Sequence, residues 1–402
     1  MKQGEGPLLA SGSERTTIER LHPADAAACA RAVADAASAS RSIRIRGAGT
    51  KDYMGEMLPT HVVLDTTALN GVVAHVPADL TVTVAAGTRL ADVRAALARA
   101  GQFLPLDPPH ADAATVGGVV AANSTGFWRS RYGGVRDLLI GTTAVLGDGT
   151  IAHSGGRVVK NVAGYDLNKL FTGSLGTLGV LVECTFKVLP VPPVSAGAHA
   201  QFARSADAFA AADAIARTSA RPSALAISGG PGGAWELLLQ ADGDTAPVER
   251  TLDLLSRSAR AQGTAAQRHD GVRGVLATLN EISSRADGMV VRAALPLAAQ
   301  GAFATTAARL EGFAQLVADA ASGIVRVVVR GDDAVTVDAA DALLAAARAV
   351  GGSARIERRP DSLRGRLRPW GDAEPAGLFL MRRLKEAFDP RGILEPGRSA
   401  AG

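Results

Sequence analysis

The chain has 402 residues, 47% hydrophobic and 20% charged, with a formal net charge of +4. That length exceeds one ordinary hydrophobic core and predicts two or three domains. The basic residues form no dense block and aromatic residues make up only 4%, which disfavours a basic, base-stacking nucleic-acid face.

Residues 1–15 are small and polar and are expected to be flexible. They hold no apolar core of a secretory leader, and no run of about 18 apolar residues follows anywhere, so a cytoplasmic location is expected. Any association with the inner membrane would then be peripheral. Pro23 to Ala39 reads as a helix, and Ser42 to Arg46 as a strand that ends in the turn Gly47-Ala48-Gly49-Thr50-Lys51-Asp52. Three short strands follow, His61 to Leu64, Gly71 to Val76 and Thr81 to Ala85. A helix from Gly87 to Ala100 has Thr88 as its expected N-cap. The proline-rich segment Leu104 to Pro109 leads into Thr115-Val116-Gly117-Gly118 and on to Ala122-Asn123. Leu138 to Leu146 and Thr150 to Ser154 read as a hairpin, with Asp148-Gly149 supplying the φ > 0 residues of its turn. Asp166 is the expected cap of a short helix to Phe171, and a glycine turn then carries Gly173, Gly176 and Gly179 into an apolar run. Pro190, Pro192 and Pro193 mark a boundary.

From 198 to 370 the rhythm changes to helices at Ala206–Thr218, Val248–Arg260, Gln300–Ala320 and Val335–Val350. Strands are expected at Ala224–Ile227, Trp235–Ala241, Met289–Leu295 and Ile324–Val329, giving a helix-covered, mostly antiparallel sheet. The arginine-rich run Arg355–Arg368 has the charge to bind a carboxylate but reads first as a solvated loop, and Leu378 to Phe388 reads as a last helix. The fold class is therefore α+β, divided as 1–15, 16–193, 198–370 and 376–402.

Gly47-Ala-Gly49 follows a strand, but the Rossmann fingerprint needs glycine where Asp52 stands and an immediate helix. No G-x-x-x-x-G-K-[ST] occurs, which removes a P-loop. Cys29 and Cys184 are isolated and offer neither a disulfide framework nor the thiolates of an iron–sulfur cluster. No metal site is expected, since His199 and His269 lack acidic neighbours at ligand spacing apart from Asp270. No motif assembles a histidine general base, so the catalytic residues stay unassigned.

Arg46 to Asp52, Leu104 to Pro109, Thr115 to Asn123, the block 157–190 and the ending Phe388 to Arg398 together resemble the PCMH-type (vanillyl-alcohol-oxidase) FAD-binding family. Within it they are similar to the FAD-binding subunits of bacterial glycolate oxidases. The resemblance implies a PCMH-type FAD-binding domain, then a cap, with the C-terminal segment returning to the first. It implies FAD held by Arg46, Gly47, Ala48, Gly49, Thr50, Lys51, Asp52, Pro108, Thr115, Gly117, Gly118, Ala122, Asn123, Gly126, Gly176, Thr177, Gly179 and Val180. Residues 47–52 contain no histidine, so the attachment is expected to be non-covalent; His110 is the one sequence-local alternative. Lys160 and Tyr165 are further flavin-side candidates. Glu395 stands where the family has asparagine, and an ionised carboxylate donates no hydrogen bond. The implied partners are a larger FAD-containing glycolate oxidase subunit, an iron–sulfur subunit and a small 2-hydroxy acid substrate. Two rival readings are a self-contained FAD-dependent 2-hydroxy acid or alcohol dehydrogenase and a structural subunit that has lost the cofactor.

Overall fold

The computed structural model describes residues 18–56, 58–156, 165–370 and 377–401. Lys160 and Gly164 therefore lie outside the described residues. Near the N-terminus Glu19–Leu21, Val62–Asp65 and Ile43–Arg46 form a parallel sheet, with Val62–Asp65 in the middle. The helix Ala26–Ser38, capped by the Asp25 carboxylate, buries Cys29 and Val33 against it. A five-stranded antiparallel sheet stands beside it, in the order Val72–Val76, Thr81–Ala85, Val180–Lys187, Leu139–Val145, Ile151–Gly155. Its central strand, Val180–Lys187, is almost continuously apolar because both faces are covered. The expected hairpin is present, with Gly149 at φ 88°.

The last segment closes this body. Helix Leu378–Phe388 ends beside the turn Asp389–Gly392, and Leu394 pairs with Ile43 as a parallel bridge. Lys385 is buried and donates to the carbonyls of Thr177 and Leu394 at 2.9 and 2.7 Å and to Asp389 at 2.6 Å. Asp389 in turn accepts from the Ile393 and Leu394 N–H groups. The C-terminal segment thus returns to the first body, as expected.

Residues 194–358 build one eight-stranded antiparallel sheet, and the largest apolar cluster lies between one of its faces and the helices Ser205–Ala216, Thr245–Ala261, Gln300–Ala307 and Asp333–Ala349. Four of its strands were not expected from the sequence. Val194–Phe202 was absorbed into the proline boundary, and the short edge strand Ala266–Arg268 gives little pattern. Phe313–Asp319 lies inside the expected helix Gln300–Ala320, which in fact ends at Ala307. Alanine-rich sequence favours helix locally, but Gly312 at φ 75° breaks it and pairing with Ala224–Gly229 and Ile324–Val329 decides the rest. Ser353–Arg358 is an edge strand, so the expected solvated loop Arg355–Arg368 is corrected at its start.

Two expected caps also differ. The Thr88 hydroxyl bonds Gly71, and the helix Leu90–Ala98 is preceded by Arg89. Asp166 makes no capping bond to its helix and instead pairs with Lys169 at 3.0 Å.

Candidate functional site

The chain reverses at Arg46 into an irregular turn, and no helix follows it. Arg46 spans that turn and meets Asp52 at 3.1 Å. Lys51, 7% exposed, donates to the Pro109 carbonyl at 3.0 Å, which ties the turn to the proline-rich segment. Burial pushes its ammonium down to about 8. Among the described residues, the N–H groups from Gly47 to Lys51 meet no acceptor in the protein. Five consecutive donors left open in a turn form a cradle for an anionic group.

Opposite lies helix Val116–Ala121, capped by Thr115. A Cβ at Gly47 would lie 2.2 Å from the Thr115 hydroxyl, so only glycine lets the two loops touch. The third wall is Leu175–Gly179, held by Gly173 and Leu175 N–H bonds to the Val120 and Ala121 carbonyls at 3.0 and 2.8 Å. The three loops line one open cleft. Leu175 and Glu395 hold positive φ on its wall, backbone conformations that cost free energy and recur where a site is built.

Arg46 to Asp52, Thr115, Gly117, Gly118, Ala122, Gly176 and Gly179 line this cleft. Seven other candidates do not. Val180 is fully buried in its strand, and the Thr177 hydroxyl bonds the Ser174 carbonyl. Pro108 is buried beside Asp107, whose carboxylate takes the Gly126 N–H at 3.0 Å. Asn123 lines a neighbouring chamber. His110 faces Glu281 at 3.5 Å, off the cleft wall, and Tyr165 is 92% exposed.

The paired glycines divide their duties. The Gly117 N–H is already bonded to the Ala86 carbonyl at 2.7 Å, and a Cβ there would meet Ala86 at 2.9 Å. Gly117 is thus a packing position, and the expectation that its N–H faces the ligand is corrected. A Cβ at Gly118 would meet only the Thr115 hydroxyl, at 3.1 Å, so that position opens into the cleft. The bare main chain at Gly118 and the open amides of 47–51 fit a flat, diphosphate-bearing cofactor such as FAD. Glu395 also lines the cleft; it accepts from the Ile45 N–H at 2.7 Å and lies 3.4 Å from Arg398. Burial pushes its carboxyl above the usual range against the pull of Arg398.

Ala122 and Leu175 are shared with a second chamber, one wall of which the cap sheet supplies with Arg292, Arg326, Arg355 and Glu357. Sequence reasoning reached only the Arg355 end of this wall and missed Arg292 and Arg326, which lie far from it along the chain. It also missed Phe127-Trp128 and Tyr132, which anchor the first body to the cap. Trp128 bonds Gln240 at 3.2 Å and Tyr132 bonds Asp242 at 2.8 Å. Three aromatic residues within six positions, in a chain so poor in them, were the available signal.

Residues 20–155 match the family described as FAD binding domain. A 152-residue segment is 45% identical to glycolate oxidase subunit GlcE of Escherichia coli, covering 38% of this chain and 43% of that one. Glycolate oxidase subunit GlcD of Bacillus subtilis is 40% identical over 149 residues, 37% of this chain and 32% of its own. The matched segment thus spans less than half the length of either relative. Among solved structures, p-cresol methylhydroxylase aligns over 94% of this chain and 88% of its own, with a TM-score of 0.74 and 18% identity. At that identity the likeness fixes the fold alone.

Proposed function

Because residues 20–155 are an FAD-binding domain of the PCMH type, we propose that this chain is the FAD-binding subunit of a glycolate oxidase-type assembly acting on a small 2-hydroxy acid. The observation that carries the reading is the convergence of the loops 46–52, 115–122 and 175–179 on one cleft lined by main chain. The 45% identity to a glycolate oxidase subunit supports the assembly. When bound, non-covalent FAD supplies two-electron acceptance from the carbon bearing the hydroxyl. The chain's own residues supply the cradle: open amides at 47–51, bare backbone at Gly118, and a rim closed by Glu395 and Arg398. Both cysteines are buried, with thiols pushed up to about 12, so an iron–sulfur partner would bring its own ligands. The larger FAD-containing subunit would carry the main substrate chemistry.

Purified alone, the chain is expected to hold FAD by absorbance and to show little flavin reduction by glycolate until the partners are added. Full-rate reduction by the isolated chain would overturn the division of labour. That result would favour the second reading, a self-contained FAD-dependent 2-hydroxy acid dehydrogenase. The arginine-lined chamber beside the cleft is the feature that speaks for it.

A further inference from the structure

Three arginines lie side by side on the cap sheet. The pairing of Met289–Ala294 with its two neighbours sets Arg292 opposite Arg326 on one side and opposite Arg355 on the other. Like charges directly opposite one another weaken a sheet, and buried charge is costly unless it is matched. One carboxylate is shared out here: Glu357 takes Arg326 at 2.9 Å and Arg355 at 3.4 Å, and a Ser283 hydroxyl bond at 2.6 Å holds it in place. Glu357 consequently stays ionised, its carboxyl drawn down to about 2 despite burial.

Arg292 feels Glu357 only at longer range and has no carboxylate in contact. Among the described residues it makes no hydrogen bond or ion pair, and burial with two flanking arginines pushes it down to about 9. Arg129, reaching the same chamber from the first body, also lacks an ion pair among the described residues. A further donor near the chamber is unpartnered. The Trp370 indole N–H is buried with no acceptor, and Arg355 lies 5.4 Å over that ring. Two guanidiniums, Arg292 and Arg129, therefore line the chamber without a hydrogen-bonded carboxylate of their own.

We infer that this chamber binds a small organic dianion carrying two carboxylates, one for Arg292 and one for Arg129. The carboxylate count follows from the guanidinium count. Glu357 contacts Arg326 and Arg355, so two guanidiniums remain without a carboxylate contact, and each is matched in shape by one carboxylate. A monocarboxylate would leave one of them bare in a half-buried chamber. The inference deepens the reading above by naming the ligand class of the space next to the flavin cleft, and in that respect it rests on that reading.

The test is equilibrium binding to the full-length, FAD-loaded chain in low-chloride buffer. Oxalate, malonate and succinate are titrated against acetate, glycolate and inorganic phosphate, followed by calorimetry and by tryptophan fluorescence. At least one dicarboxylate is expected to bind ten-fold or more tightly than either monocarboxylate and than phosphate. Arg292→Gln is expected to lose that binding by ten-fold or more at unchanged FAD content. Equal affinity for one and two carboxylates, tighter binding of phosphate, or undiminished binding by Arg292→Gln would overturn the inference. If the variant fails to fold, the affinity ratios of the wild-type chain decide alone. FAD content is read separately by absorbance. A chain that takes up dicarboxylate but no flavin supports this inference and sinks the flavin reading, while a flavin-loaded chain without the preference does the opposite.

Discussion

A methyl group at Gly118 would touch only the Thr115 hydroxyl, whereas one at Gly117 would run into Ala86. Gly118→Leu is therefore expected to leave the unfolding temperature of the apoprotein unchanged or higher, since glycine costs a helix about 1 kcal/mol, and yet to lose most bound FAD. Gly117→Ala should instead cost about 1–3 kcal/mol of stability by overpacking. Flavin absorbance together with thermal melts separates the two, and equal flavin retention in both variants would contradict the assignment. Asp319 carries a different signature. It is 5% exposed, and burial pushes its carboxyl up to about 7 from an ordinary 3.8. The folded chain therefore holds this proton more tightly than the unfolded one. Its destabilising contribution is absent below the unfolded value, grows as pH climbs from 3.8 toward 7 and is complete above that. Asp319→Asn keeps an acceptor for the Ala321 N–H and should flatten this slope, raising stability at pH 8 by roughly 1–3 kcal/mol. Urea melts at pH 5 and pH 8 measure it.

At the scale of elements, the returning C-terminal segment shows how one buried cation can hold a distant piece of chain. Lys385 joins Thr177, Leu394 and Asp389, so it links the wall of the cleft to the strand-like residues beside Ile43. Lys385→Met removes the cation and leaves Asp389 buried with backbone donors only. The expected cost is about 3–5 kcal/mol, with looser FAD as a consequence because Glu395 and Arg398 follow directly. Chemical denaturation and the FAD dissociation constant check this together; a stable variant with unchanged affinity would remove the C-terminal segment from the account of the site.

Across the whole molecule, the two bodies meet at Phe127, Trp128 and Tyr132 and at Asp107, which accepts from Gly126, Trp128 and Asn280. Trp128→Ala should cost about 3–5 kcal/mol and strand the Gln240 carbonyl. Limited proteolysis should then cut between the bodies sooner than in the parent chain, and an unaltered digestion rate would argue that the contact is minor. The glycine turns, the hairpin with its Asp148-Gly149 corner and the last helix were legible in the sequence, because glycine φ, turn chemistry and helical periodicity act over a few residues. The α+β class and the three-loop cradle followed from these local signals and the family resemblance. Tertiary structure alone decided the strand Phe313–Asp319, since pairing with two neighbours outweighs the helix propensity of an alanine-rich run. It alone decided that Gly117 packs while Gly118 opens outward, and that Arg292, Arg326 and Arg355 share a wall. Those outcomes depend on the register of strands far apart in the chain, and a register set by long-range burial leaves no short-range trace to read.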